Sequence, residues 1–220
     1  MEQLKDKKVI LEAITGSKAY GLDTPDSDTD YKGVYVASTK HLLSLNKVHH
    51  VKEVIDGHEP YDYSYYEVGK FVDLALKNNP TIMEILFLEN YIKLSDEGQM
   101  LISEKESFLS QNVYNTYGKY ALSQAHKLES HPDFTRYSKH ARHCFRLLQQ
   151  GREILEYGKL TVKVNNREEL FEIGNLPSSQ LLERFKKEYD RFMEIKTSLP
   201  LEPDYDKINS ILLEIRYMNP

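Results

Sequence analysis

The chain has 220 residues, of which 40% are hydrophobic and 29% charged, with a formal net charge of −5. This composition predicts a folded protein of one domain, or of one domain with a modest helical extension, and the acidic balance excludes unspecific adhesion to polyanions. The N-terminal segment is charged first and then only briefly apolar, which indicates neither a signal peptide nor a membrane span and predicts a cytoplasmic protein. The single cysteine, Cys144, cannot form an internal disulfide, and its helical context predicts a packed apolar role.

Strands are predicted in the first third of the chain. Short runs of apolar, β-branched and aromatic residues occur at four places, namely Lys8 to Ile14, Asp30 to Val36, Val48 to Ile55 and Tyr61 to Tyr65. A polar loop with two glycines and several aspartates separates the first two runs. These runs predict a small sheet.

From about Tyr66 the apolar residues recur with the period of an α-helix. The predicted helices run from Tyr66 to an Asn-Asn-Pro stop, Ile82 to Leu88, Asp96 to Ser110, Val113 to Leu128, Ser138 to Tyr157, Ser178 to Lys196 and Tyr205 to Met218. Strands first and helices afterwards indicate an α+β fold, with one domain at 1–110 and a helical C-terminal region at 111–220 packing on it. The apolar stripes of the last two helices suit a core or a subunit interface, which leaves the oligomeric state open.

The loop between the first two predicted strands carries groups suited to phosphate and metal binding. Gly16 permits close approach of the backbone to a ligand, and Ser17 offers a hydroxyl where a helix would present free N–H groups to a phosphate. Asp28 and Asp30 are two residues apart, so on a strand they share one face and repel unless a cation lies between them. Magnesium suits this position because it binds few carboxylates and completes its coordination with water and substrate phosphates. The set is typical of two-metal phosphoryl or nucleotidyl transfer.

Two other interpretations compete for the aspartate-rich loop. Asp26, Asp28 and Asp30 match the first ligands of a calcium-binding EF-hand loop, but the required glycine position is Tyr31 and the closing glutamate position is Ala37. The calcium interpretation therefore fails at two essential positions. The other alternative is a solvated turn without a ligand, since polar turns with proline and aspartate are common.

The pattern Gly-Ser, a short spacer and Asp-x-Asp at a strand start resembles the DNA polymerase β-like nucleotidyltransferase superfamily. The longer string GSKAYGLDTPDSDTDYKGVYV is similar to one branch, the nucleotidyltransferases associated with bacterial and phage RNA repair, which have a Gly-Ser-x-Ala-Tyr-Gly start and a Pro-x-Ser-Asp-x-Asp metal motif. Weaker similarity continues through DYSYYEVGKFVDLALKNNPTIMEILF and KHARHCFRLLQQGREILEYGKL, so it covers much of residues 9 to 160. It implies the nucleotidyltransferase fold, a small mixed sheet with flanking helices, and a mainly helical C-terminal region.

The resemblance also implies a third carboxylate from a neighbouring strand. Such a group joins the metal pair and acts as general base on the acceptor hydroxyl. Asp62 is the preferred candidate because it lies on a predicted strand just before the helix from Tyr66. Glu53 and Glu59 are competitors, and an ordinary surface carboxylate is the plain structural interpretation of Asp62.

A basic cluster lies on the helix predicted from Ser138 to Tyr157. Lys139, Arg142, His143 and Arg146 follow i, i+3, i+4, i+7 spacing, so they share one helical face. In an acidic protein such a face suits the triphosphate or the phosphate of an acceptor strand, and the resemblance also places basic residues here. Lys139, His143 and Arg146 are the preferred members. The alternative is a solvated charged face.

Three residues near the loop are open to two interpretations each. Lys18 meets a phosphate or is simply exposed, and Tyr20 stacks on a base or packs locally. Glu84, which follows the Asn-Asn-Pro stop as in the resembled branch, is more typical of a structural position than of a supporting role at the site.

These residues predict transfer of a nucleoside monophosphate from an NTP to a hydroxyl, with pyrophosphate released. Gly16, Ser17, Lys18 and Tyr20 would bind the nucleotide, and Asp28, Asp30 and Asp62 would hold two magnesium ions. The resemblance implies an RNA 3′ end as acceptor. The alternatives are modification of a protein or small molecule, and a module that binds nucleotide or a partner without turnover.

Overall fold

Among the residues that the structure describes, five strands form one mixed sheet. This computed structural model describes residues 7–45, 48, 51–55, 61–130 and 136–220, with the backbone alone at 51–55, 61 and 62. The strands are β1 (Lys8–Thr15), β2 (Thr29–Val36), β3 (Val51–Ile55), β4 (Tyr61–Glu67) and β5 (Lys93–Leu94), in the spatial order β3-β4-β2-β1-β5. The β2–β4 pair is parallel and the other pairs are antiparallel.

Both faces of the sheet carry buried residues. Leu11, Ala13 and Val34 are fully buried, as alternate residues of a strand facing one core should be. On the opposite side, the ring of Tyr65 lies over Gly33, where a Cβ would come within 2.5 Å of the ring. The Tyr65 hydroxyl then donates to Glu12 Oε2 at 2.6 Å, across the glycine from β4 to β1.

Helices make up most of the rest of the described chain. Their bounds are α1 (Gly16–Tyr20), α2 (Thr39–Leu42), α3 (Val68–Leu76), α4 (Pro80–Leu86), α5 (Asp96–Ser103), α6 (Val113–Ser130), α7 (Tyr137–Tyr157), α8 (Arg167–Gly174), α9 (Ser178–Met193) and α10 (Tyr205–Tyr217). The predicted helix over Asp96 to Ser110 is shorter, because it stops at Ser103 and a 3₁₀ turn follows. The sequence did not predict α2, α8 and β5, because these segments are too short for a helical or strand period to show. No helix in the described part of the chain combines the length and apolarity that a bilayer span requires.

The structure thus confirms the predicted α+β class, the small mixed sheet and the mainly helical C-terminal region. It divides the chain into two compact units. The first contains residues 1–77, 81–108 and 203–220, and the second contains residues 78–80 and 109–202. The domain boundary at residue 110 stays a prediction; α10, within the predicted region at 111–220, lies in the first unit.

A buried ion pair explains why α10 joins the first unit. Arg216 on α10 forms a bidentate pair with Glu67 at the end of β4, and Glu67 is 2% exposed. The other Glu67 contacts are with the N–H of Gly69, at 2.8 Å, and of Ala37, at 3.4 Å. A carboxylate buried to this extent requires its cation, because an unpaired buried charge is costly. Nothing in the apolar periodicity of the C-terminal segment indicates this partner.

The second unit is built around α6, α7 and α9. Gly118 on α6 and Gly151 on α7 both lie against the ring of Phe192 on α9, and a Cβ at Gly151 would come within 2.8 Å of that ring. The absence of side chains at these two glycines lets the three helices approach closely. Phe145 and Phe185 add an edge-to-face contact between α7 and α9 at 6.3 Å.

Candidate active site

The two aspartates of the metal motif lie where β2 begins. Asp28 is exposed, Thr29 is 7% exposed and Asp30 is partly buried. Asp30 is the second residue of β2, whereas Asp28 precedes the strand by one residue. A tight turn comes before it, with the Thr24 N–H donating to Ser27 Oγ at 2.9 Å. That the two carboxylates share one face stays a prediction.

Gly16 and Asp30 are in contact. Gly16 has a φ of +68°, in the left-handed region, and a Cβ at this position would lie 1.9 Å from Asp30 Oδ2. The sheet creates this contact, because Thr15 at the end of β1 is in register with Asp30 on β2. The turn predicted to seat a phosphate and a carboxylate predicted to bind metal are thus side by side, and only glycine leaves room for both.

A one-turn helix follows Gly16. It runs from Gly16 to Tyr20 and ends at Gly21, whose φ is +69°. Because it has only five residues, its macrodipole is small, and any anion would be held by individual N–H groups. Lys18 extends from α1 to β2 and donates to the Thr29 hydroxyl. An ammonium group therefore lies beside the residue that separates Asp28 and Asp30.

Tyr20 links α1 to a buried carboxylate. Its hydroxyl donates to Glu84 Oε2 at 2.5 Å, and Glu84 is 4% exposed. This contact gives Glu84 a direct link to the turn, which sequence spacing did not reveal because 64 residues separate the two. Base stacking by Tyr20 stays a prediction.

Asp62 lies next to Asp30 in the sheet. The parallel register of β2 and β4 pairs Asp30 with Asp62 and Tyr31 with Tyr63. The rings of Tyr31 and Tyr63 stack at 4.8 Å with an interplanar angle of 13°, which reinforces this register. The side chains of Asp62 and Glu53, and all of Glu59, His49, His50 and His131, lie outside the described residues. The choice of Asp62 over its competitors stays a prediction.

The predicted basic face of α7 is divided by its environment. Lys139 is exposed, whereas Arg146 is 1% exposed and donates to Gln150 Oε1 at 2.7 Å and to His143 Nδ1 at 2.8 Å. Arg142 donates to Ser138 Oγ and lies 4.3 Å from the centre of the Phe171 ring. Within the second unit, therefore, Lys139 is accessible to solvent, whereas Arg146 is buried and hydrogen-bonded to the half-buried His143.

Burial determines the protonation of the groups on α7. Burial, and next the positive charge of the neighbouring Arg146, lower the pKa of His143 to about 3, so His143 is neutral at pH 7. Since guanidinium only donates, His143 Nδ1 accepts from Arg146 and its proton is on Nε2. Burial also raises the pKa of the Cys144 thiol, which is 0% exposed. The predicted packed role of Cys144 is confirmed.

Among the described side chains, no group of three or more His, Cys, Asp or Glu residues is placed to hold a metal ion. The described part of the motif supplies two carboxylates, Asp28 and Asp30. A third ligand for the same ions would have to come from a side chain outside this set, and Asp62 is in register to supply it.

Comparison with known proteins identifies related sequences. The family model described as RNA repair pathway DNA polymerase beta family matches residues 1–201. An uncharacterized 38.9 kDa protein of Enterobacteria phage T4, from the nrdC-mobD intergenic region, is 25% identical over 130 residues, covering 54% of this chain and 38% of that protein. Uncharacterized protein YcgL of Bacillus subtilis strain 168 is 32% identical over 88 residues, covering 39% and 33%. The matched parts thus span less than two thirds of either relative.

A solved structure also aligns with the chain. The crystal structure of a nucleotidyltransferase-like protein from Exiguobacterium sibiricum 255-15 covers 98% of this chain and 76% of that one, with 9% identity and a TM-score of 0.37. A similarity of this extent carries no argument about mechanism.

Proposed function

This chain belongs to the RNA repair pathway DNA polymerase beta family, and we propose that it moves a nucleoside monophosphate from an NTP to a hydroxyl acceptor with release of pyrophosphate. Membership makes it a polymerase beta-like nucleotidyltransferase. The observation that carries the proposal is the contact between Gly16 and Asp30. Nucleotidyl transfer needs a phosphate seat and a metal-binding carboxylate at one place, because the metal ions bridge protein carboxylates and substrate phosphates.

The turn at Gly16 and Ser17 binds the β- and γ-phosphates of the NTP. Its donors are the free N–H groups of α1 and the Ser17 hydroxyl. Lys18, which contacts Thr29 between the two aspartates, supplies a cation to the same phosphates. Tyr20 holds α1 in place through its hydrogen bond to buried Glu84.

Asp28, Asp30 and Asp62 hold two magnesium ions. The residues fit this metal, because carboxylates are hard oxygen ligands and Asp28 and Asp30 lie two residues apart at the start of β2, neither of them fully buried. When bound, magnesium would neutralise charge on the phosphates and on the leaving pyrophosphate and would lower the pKa of the attacking hydroxyl. Asp30 contributes more than charge, since its contact with Gly16 orients one oxygen toward the phosphate seat.

Asp62 takes the proton of the acceptor hydroxyl. The hydroxyl oxygen forms a bond to the α-phosphorus while the bond from that phosphorus to the bridging oxygen breaks, and the β- and γ-phosphates leave as pyrophosphate. The register supports this role, since residues paired on neighbouring strands are about 5 Å apart. The backbone position of Asp62 beside Asp30 therefore favours it as the base of the same site.

The acceptor in this proposal is an RNA 3′ end. The family description supports it, since it names an RNA repair pathway. Lys139, His143 and Arg146 contribute to phosphate binding in different ways. Lys139 is exposed and offers its charge directly, whereas neutral His143 and buried Arg146 maintain the helix that carries it.

The direct test is to incubate the full chain with magnesium, each α-labelled NTP and either short RNA or cell lysate. The proposal expects label on RNA with a free 3′ hydroxyl, no label on 3′-deoxy RNA, and one pyrophosphate released per label. Asp28→Asn and Asp30→Asn should each lower the rate by about 1000-fold or more, because charge stabilisation by the metals dominates the reaction. Asp26→Asn is the matched control, since Asp26 is an exposed aspartate of the same loop.

The outcomes separate the candidate functions. Label on a protein band alone would indicate protein nucleotidylation and overturn the RNA assignment. Bound NTP without label on any acceptor would overturn the proposed catalysis.

A further inference from the structure

Exposed cations lie along α6 and at the start of α7 in the second unit. Lys119 and Lys127 are exposed on α6, and Arg136 and Lys139 are exposed at the start of α7. His126 is exposed on α6 beside them. We call these five residues the α6–α7 basic surface; they are Lys119, His126, Lys127, Arg136 and Lys139.

His140 lies where Lys127 of α6 and the cations at the start of α7 come together. Burial lowers the pKa of His140, and the positive charges of Lys127, Arg136 and Lys139 lower it further. Cations of both helices thus lower the pKa of the same imidazole. His140 itself contacts Gln124 on α6 at 2.6 Å, which ties the two helices at this point.

Within the described residues, none of the four lysines and arginines of this surface forms an ion pair. Elsewhere in the same unit, cations are paired, as in Arg184 with Glu169, Lys187 with Glu183 and Arg191 with Glu188. The nearby acid of α6, Glu129, lines a groove together with His126 of this surface and with Phe185 and Tyr189 of α9. In a chain of net charge −5, four lysines and arginines without an ion pair among the described residues are a local concentration of positive charge.

Helix stability does not account for these charges. The first turn of α7 contains no acidic residue, and its cations lie at the positive end of the helix dipole. Cations at this end cost a few tenths of a kcal/mol, whereas acids would stabilise it. A function that needs positive charge explains their presence better than folding does.

The α6 side of the surface has the form of a binding depression. Lys119, Ser123 and Lys127 are four residues apart, so they lie one turn apart in a row, about 6 Å from one to the next. They line an open depression of about 400 Å³ together with Leu122, His126 and Ser130. Its cations and hydroxyls are the groups that contact phosphate oxygens.

We propose that the α6–α7 basic surface binds the phosphate backbone of single-stranded RNA. A row of cations along one helix suits a flexible single strand, and a positively charged groove is how such strands are bound without sequence preference. The inference rests on the proposed function in one respect, since it takes RNA as the acceptor. It goes beyond it by locating the RNA contacts on α6 and on the start of α7.

The test measures binding of a labelled 12-nucleotide single-stranded RNA to the full chain by fluorescence anisotropy, without NTP, from 50 to 300 mM salt. Each lost phosphate contact should reduce the slope of log K against log salt by about 0.7. Lys127→Gln with Lys139→Gln should therefore reduce the slope by about 1.4, and weaken binding about 25-fold at 0.1 M salt. Lys159→Gln with Lys196→Gln is the matched control, because both are exposed lysines of the same unit outside the surface.

Three results would overturn the inference. They are an unchanged slope in the Lys127 and Lys139 variant, an equal loss in the control pair, and competition by polyglutamate as effective as that by unlabelled RNA. Asp28→Asn separates this inference from the proposed function, since it should bind RNA as the wild type does but release no pyrophosphate. RNA binding with the expected slope and no transfer would overturn the catalysis alone, and transfer with an unchanged slope would overturn the surface alone.

Discussion

Replacement of Gly16 by alanine is the sharpest test of the site, because one methyl group would take the position of a carboxylate oxygen. The backbone at Gly16 has a φ of +68°, where an L-residue costs about 1–2 kcal/mol more than glycine. The new Cβ would lie 1.9 Å from Asp30 Oδ2 and 2.9 Å from its Cγ. Since real contacts of this kind are not below 3.0 Å, the carboxylate has to move by about 1 Å or more.

The two effects of this change differ in size. The free energy of unfolding should fall by about 2 kcal/mol, because the backbone strain adds to the cost of a new Asp30 rotamer. The value of kcat/KM should fall by about 100-fold or more, because a displacement of about 1 Å in a catalytic group has this consequence. The variant should therefore remain folded while losing most of its activity.

Gly158→Ala is the matched control. Gly158 has a φ of +63°, but a Cβ there would meet only Leu199 Cδ2 at 3.9 Å, an ordinary contact. Both variants carry the same backbone strain of about 1–2 kcal/mol. In a urea titration Gly16→Ala should lose about 1 kcal/mol more than Gly158→Ala, because only Gly16→Ala forces a new Asp30 rotamer, whereas initial rates of pyrophosphate release should differ by about 100-fold. Rates within about threefold of each other, with both proteins folded, would refute a catalytic role for the Gly16–Asp30 contact.

Tyr20→Phe removes one hydrogen bond to buried Glu84, so it should lower the free energy of unfolding by about 1 kcal/mol. It should also raise KM for NTP more than it lowers kcat. Steady-state kinetics that show the reverse would contradict the positioning role of Tyr20. Arg216→Met leaves Glu67 without its bidentate cation and should lower the free energy of unfolding by about 3 kcal/mol or more, with partial recovery when Glu67→Gln is added, as measured by urea denaturation. His143 is neutral when folded, with a pKa of about 3 against 6.5 for an ordinary histidine, so its contribution is complete above pH 6.5 and is lost as the pH falls toward 3. Unfolding at pH 5 should therefore require up to about 2 kcal/mol less than at pH 7, a loss absent in His143→Gln; equal pH profiles would contradict this reasoning.

The local patterns of the sequence predicted most of the fold. Alternation and β-branched runs indicated the strands at Lys8 and Asp30 to within one residue, and Gly158 ended α7 as expected because it adopts a positive φ. Elements shorter than about two turns, such as α2 and β5, carry too few residues for a period to show. The assignment of α10 to the first unit was beyond prediction, because it depends on contacts with distant segments, namely the packing of α10 on α3 and α5 and the Arg216–Glu67 ion pair across 149 residues.

The basic face of α7 shows a different limit. Spacing correctly placed Lys139, His143 and Arg146 on one side of the helix, but spacing cannot tell which side is covered. The packing of the second unit buries Arg146 and leaves Lys139 exposed. The same packing brings Lys127 of α6 to the exposed end of that face. In the sequence, Lys127 is only one of several polar positions on a different helix.

By itself, the sequence determined the chemistry of residues 16–30, because the Gly-Ser turn and the Asp-x-Asp spacing are local features that need no folded partner to be recognised. Only the tertiary structure decided how these parts meet. The register of β1 on β2 brings Asp30 against Gly16, and the register of β2 on β4 brings Asp62 beside Asp30. Contacts of this kind depend on pairing between distant segments, whereas sequence patterns report only the neighbours along the chain.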